Sequence, residues 1–85
     1  MMMYSVRIEK PAEKALSKLP KSEIEKIRVS ILELSLNPRP FGCKKLKGRE
    51  GYRIRVGNYR IIYEVLDDVL VVIVVTVGNR KEVYK

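Results

Sequence analysis

The stretch "YRIRVGNYRIIYEV", residues 52–65, alternates apolar and charged side chains on either side of a Gly57-Asn58 pair. Alternation with a period of two marks strands with one buried face, and a two-residue Gly-Asn connection between such runs marks a hairpin. That register opposes Val56 to Tyr59, Ile54 to Ile61 and Tyr52 to Tyr63, giving one face that is wholly apolar or aromatic and suited to a core. On the other face Arg55 stands opposite Arg60, and Arg53 lies two residues along from Arg55 on the same side. Like charges directly opposed in a sheet are unfavourable by roughly 0.2–1 kcal/mol. Three guanidinium groups so placed either await an anion or splay into water and pair with Glu50, Glu64 or Glu82.

Toward the C-terminus, "VLVVIVVTV" (69–77) is a third β-rich run, and Asp67-Asp68 before it reads as a second two-residue turn. In that register Val71, Ile73 and Val75 share the arginine-bearing face with Ile62. An apolar strip of this kind calls for cover, either by a partner polypeptide or by the C-terminal tail. The run ends in "VGNRKEVYK" (77–85), where Gly78 breaks the pattern and Arg80 falls near the level of the Gly57-Asn58 turn. Tyr84 follows four residues later, so a fourth guanidinium and a phenol could reach the rim of the cluster.

Toward the N-terminus the period changes. Tyr4, Val6 and Ile8 alternate with Ser5, Arg7 and Glu9, which reads as a strand. Pro11 suits a first helical turn, and Ala12, Ala15, Leu16 and Leu19 fall at helical spacing until Pro20 closes the segment. Ser22 and Glu25 form a capping-box pattern ahead of Ile24, Ile27, Ile31 and Leu34, which predicts a second helix to about Leu36. "NPRP" (37–40) ends it, because each proline lacks an amide donor and restricts the residue before it to extended geometry. The predicted order is β-α-α-β-β-β, an α+β fold in which a helical hairpin packs on one face of a mostly antiparallel sheet. The whole chain, residues 1–85, is expected to form a single domain.

Composition narrows the function classes. A hydrophobic content of 46% with 33% charged residues belongs to a folded module rather than a disordered chain. One cysteine, Cys43, cannot form an internal disulfide, and with no histidine the usual zinc constellations cannot be assembled. Neither metal nor cofactor is expected. No run approaches the roughly 18–20 apolar residues of a membrane span, and a cytoplasmic location is expected.

The formal charge of +8 favours a polyanionic partner. Its distribution is uneven: residues 44–60 hold seven basic residues against one acidic, whereas residues 10–36 hold six against four. Helix lysines such as Lys14, Lys18, Lys21 and Lys26 read mainly as a solvated face. The basic bias therefore sits around the hairpin.

The segments "KLKG" (45–48), "YRIRVGNYRIIYEV" (52–65) and "VGNRKEVY" (77–84) together resemble the RelE toxins of the RelE/ParE toxin-antitoxin superfamily, and the order of elements resembles that family from Tyr4 to Tyr84. The resemblance implies a small basic endoribonuclease that enters the ribosomal A site, cuts mRNA there without metal, and is neutralised by a RelB-like antitoxin. It carries contact with the scissile phosphate onto Arg60 and Arg80, and base stacking or assistance to proton transfer onto Tyr84. Arg53 and Arg55 match positions that are lysine in well-known members and serve proton transfer and charge neutralisation. Lys44, Lys45, Lys47 and Arg49 are the basic residues implied to grip the RNA backbone. A guanidinium, with a pKa above about 12, stabilises charge well and shuttles protons poorly, so the resemblance leaves the general base open. Two other functions fit the same scaffold: a ParE-like toxin that poisons DNA gyrase, and a catalytically silent module that holds an acidic partner.

Overall fold

The computed structural model describes residues 3–79. The elements are β1 (Ser5–Ile8), α1 (Lys10–Ser17), α2 (Lys21–Leu36), β2 (Lys44–Lys45), β3 (Tyr52–Val56), β4 (Tyr59–Leu66) and β5 (Val71–Asn79). They form a helical hairpin on one face of a five-stranded sheet of order β1-β5-β4-β3-β2. Every pairing is antiparallel except β1 with β5, which is parallel. The expected α+β architecture is therefore present, with one strand more than the sequence suggested. β2 has only two residues, both lysine, so it carries no periodic signal to read.

The central hairpin has the expected register, with Val56 opposite Tyr59, Ile54 opposite Ile61 and Tyr52 opposite Tyr63. Gly57 has φ 59°, the geometry of the first central position of a type II′ turn, whose twist matches that of the flanking strands. Ile54, Ile61 and Tyr63 from this hairpin meet Ala12 and Leu16 of α1, Ile27, Ile31 and Leu34 of α2, and Val72, Val74 and Val77 of β5 in one core. Each aliphatic chain buried there contributes on the order of 1.5–3 kcal/mol.

Three local expectations are corrected. The Asp67-Asp68 turn is longer than two residues: Leu66 pairs with Val71, leaving a four-residue loop whose last member, Leu70, has φ 54°. Tight two-residue turns need positive φ at one or both centres, which Asp-Asp supplies poorly, and the longer loop moves the left-handed residue to its end. The second correction concerns the start of α2. The Pro20 carbonyl accepts from the amides of Glu23 and Ile24, both at 3.0 Å, so the helix starts ahead of Ser22 and the capping box does not form.

The third correction is a β-bulge. Tyr63 pairs with Val74 but Ile62 pairs with Thr76, which leaves Val75 as an extra residue on β5. The extra residue reverses the alternation, turning Val77 into the core beside Val72 and Val74. Val71 and Ile73 do lie on the arginine-bearing face, opposite Leu66 and Glu64, but Val75 is displaced and Thr76 takes its row.

Candidate functional site

The sheet face away from the helices carries two adjacent rows of side chains. In the row nearer the Gly57-Asn58 turn, Arg55 of β3, Arg60 of β4 and Gly78 of β5 lie side by side. In the next row, Lys44 of β2, Arg53 of β3, Ile62 of β4 and Thr76 of β5 follow one another across the sheet. Successive residues on one face of a strand are about 6.8 Å apart, and neighbouring strands about 4.8 Å. Four cationic side chains therefore spring from a patch two residues deep and three strands wide.

Arg55 and Arg60 form the first pair beyond the one that closes the turn. In a two-residue hairpin this is a non-hydrogen-bonded pair, with Cα atoms only about 4.5 Å apart and side chains at their closest. Arg60 is 3% exposed, an unusual burial for an arginine, whereas Arg55 is exposed and Arg53 half-buried. Gly78 contributes no side chain to the position beside Arg60 in its row. Ile62, 9% exposed, gives the second row an apolar floor next to the Thr76 hydroxyl.

The remaining basic positions divide. Lys44 joins the site by standing opposite Arg53, whereas Lys45 stands opposite Tyr52 and so projects from the other face. Lys47 and Arg49 are exposed in the segment that follows β2, where the Leu46 amide donates to the Gly51 carbonyl at 3.0 Å. Arg80 and Tyr84, assigned to the site by resemblance, lie outside the described residues. Thr76 was missed in the sequence because a strictly alternating strand turns it toward the core; only the bulge brings it round.

β2 is too short to fix its own place, and the segment leading into it is held by side chains. The Arg39 guanidinium donates from Nη2 to Asp67 Oδ2 at 2.8 Å, from Nη1 to Asp67 Oδ1 at 3.2 Å and from Nε to the Tyr52 hydroxyl at 2.9 Å. It also lies over the Tyr52 ring, 5.1 Å from the centroid, and that ring stacks on Tyr63. Tyr4 donates its hydroxyl to Asp67 Oδ1 at 2.7 Å, and the buried Tyr63 hydroxyl donates to the Pro38 carbonyl at 2.7 Å. The hydrogen bonds from Arg39 and then Tyr4 hold the Asp67 carboxyl below its usual range. The bond to Asp67 pushes the Tyr4 phenol up, and burial does the same to Tyr63.

No group of three or more histidine, cysteine, aspartate or glutamate side chains gathers to hold a metal ion among the described residues, and no helix there is long and apolar enough to cross a membrane. The chemistry that the patch can offer is electrostatic: fixed cations converging where a phosphate could bind.

Comparison with known proteins places this geometry in context. Residues 6–84 match the model of the ParE toxin of the type II toxin-antitoxin system parDE. The chain is 39% identical to the RelE1 protein of Methanocaldococcus jannaschii, over 99% of this chain and 98% of that protein. It is 33% identical to the mRNA interferase toxin RelE of Escherichia coli, over 98% of this chain and 92% of the relative. Its fold superimposes on the archaeal RelE-RelB complex from Pyrococcus horikoshii with a TM-score of 0.83 and 34% identity, covering 93% of this chain and 97% of that one.

Proposed function

The chain belongs to the ParE toxin family of type II toxin-antitoxin systems, and from that premise we propose that it is a RelE-type endoribonuclease that cuts mRNA in the ribosomal A site without a metal ion. The observation that carries the reading is the two-row cationic patch, with Arg60 buried on β4 at one end of it and Arg55, Arg53 and Lys44 following on β3 and β2. In the reaction a ribose 2′-OH attacks the adjacent phosphorus and the bond from phosphorus to the 5′ oxygen breaks. The 2′-OH proton passes to a base, the leaving 5′ oxygen takes up a proton, and the products are a 2′,3′-cyclic phosphate and a 5′-OH.

Charge accumulates on the non-bridging oxygens of the pentacoordinate phosphorus as this proceeds. Preorganised guanidinium groups stabilise that charge more than they stabilise the ground-state phosphodiester, which is the condition for catalysis. Arg60 is the group best placed for it, being buried and fixed within the sheet. Arg55 and Arg53 add neutralising charge, and Lys44, Lys47 and Arg49 hold the RNA backbone, whereas Lys45, on the other face, is set apart from it. Arg80 and Tyr84 complete the set by family resemblance, as a second phosphate ligand and a base-stacking or proton-transferring phenol.

The solved relatives include RelE-RelB complexes, which supports a RelB-like antitoxin as the neutralising partner, and a cytoplasmic location follows from a ribosomal target. The test is to map cut sites on mRNA in purified programmed ribosomes with the wild type beside Arg60→Ala and Arg80→Ala. Cleavage by the wild type alone supports the proposal. Uncut mRNA, or DNA breaks in place of halted translation, refutes it and favours the gyrase-poisoning reading.

A further inference from the structure

Phe41 has a relative exposure of 107%, more than any other large apolar side chain among the described residues. A phenylalanine that is fully solvated takes no part in the core of the fold. Nor is it carried on a slack loop. The Cys43 amide donates to the Pro40 carbonyl at 3.0 Å, and Gly42 has φ 92°, so Pro40–Cys43 is a type II turn with Phe41 at its first central position.

That turn is tied down on both sides. Pro38 accepts the Tyr63 hydroxyl and Arg39 is clamped by Asp67 and Tyr52, while Lys44 enters the sheet opposite Arg53. Lys44 is three positions on from Phe41, which limits their Cα distance to about 11 Å. The aromatic ring is therefore presented from a fixed point at the edge of the cationic patch. Its neighbours along the chain are one-sided in charge: residues 34–49 contain Arg39, Lys44, Lys45, Lys47 and Arg49 and not one acidic residue, and of these Arg39 is paired with Asp67.

We propose that Phe41 is a stacking platform for an unpaired base of the RNA whose backbone crosses Lys44 and Arg53. Grooves for single strands pair cationic side chains that track phosphates with exposed aromatic rings on which bases stack, and this turn supplies both. A protein-docking anchor would instead be expected amid other apolar side chains. The inference rests on the RNA reading of the cationic patch but not on cleavage.

The chain contains no tryptophan, so Phe41→Trp places a single tryptophan at the turn, excited selectively at wavelengths where the five tyrosines do not absorb. The free protein is titrated with a short single-stranded RNA, made uncleavable by 2′-deoxy substitution, and with an abasic oligonucleotide of the same length and salt concentration. Expected are quenching by the base-bearing strand only, and a roughly 5- to 150-fold loss of affinity for that strand in Phe41→Ala with abasic binding unchanged. Circular dichroism confirms the fold of each variant. Equal affinity of wild type and Phe41→Ala for the base-bearing strand overturns the proposal, as does a loss confined to antitoxin binding. Stacking in this titration together with uncut mRNA on purified programmed ribosomes would refute the nuclease reading and leave this one standing.

Discussion

Arg60 and Gly78 face the same side of the sheet as direct cross-strand partners, and the register that joins them exists only because Val75 is bulged out of β5. Without the bulge, the residue beside Arg60 would be a valine. With it, the most buried arginine among the described residues has a neighbour without a side chain. We expect Gly78→Val to reduce mRNA cleavage as Arg60→Ala does, by a factor of roughly 100–1,000, with antitoxin binding retained. Wild-type cleavage rates in Gly78→Val would show that the space beside Arg60 is not used.

Arg55 and Arg60 stand opposed, so stability and activity should part company there. Arg55→Thr replaces one of two like charges with a good strand former, and is expected to raise stability by roughly 0.2–1 kcal/mol while lowering cleavage. Because the effect is electrostatic, the gain should shrink as salt rises. Denaturant midpoints at low and high ionic strength check it, and a variant less stable at both would contradict it.

The clasp around Asp67 makes a signed prediction for pH. Asp67 has a folded-state pKa below its ordinary value, so its contribution is present above the unfolded pKa and is lost as pH falls through the folded one. Tyr4 and Tyr63 have raised pKa values, so theirs is complete below the unfolded value near 10 and is lost as pH climbs through the folded values. Melting temperature against pH should show both limbs. Asp67→Asn should flatten the acid limb, and Tyr63→Phe the alkaline one, with a cost of about 1–3 kcal/mol from leaving the Pro38 carbonyl without its donor. Unchanged limbs would mean that the clasp is not coupled to folding.

Gly51 precedes β3 with φ 122°, and a Cβ there would come within 2.9 Å of the Tyr63 carbonyl oxygen. Gly51→Ala therefore carries both backbone strain and a clash with main chain, and should destabilise by about 1–3 kcal/mol. The same residue accepts from Leu46, so the substitution should also weaken RNA binding through Lys44 and Lys47. Thermal melts and an RNA titration of the variant decide it. Wild-type values in both would show that the backbone relaxes freely at this point.

What the sequence alone determined was local. Alternation around Gly57-Asn58 dictated the central hairpin and, with it, the opposition of Arg55 to Arg60, because strand periodicity and turn length set which residues share a face. Helical spacing likewise placed Ile27, Ile31 and Leu34 in the core. Tertiary structure decided whatever depended on contacts distant in the chain. The parallel pairing of β1 with β5 and the capture of two lysines as β2 are long-range pairings without local pattern. The bulge follows from the need of Val77 to reach the helices, a demand of core packing that outweighs strict alternation. The burial of Arg60, the arrival of Thr76 and the hold of Asp67 on Arg39 all depend on such contacts. They turn a charged hairpin into a positioned site.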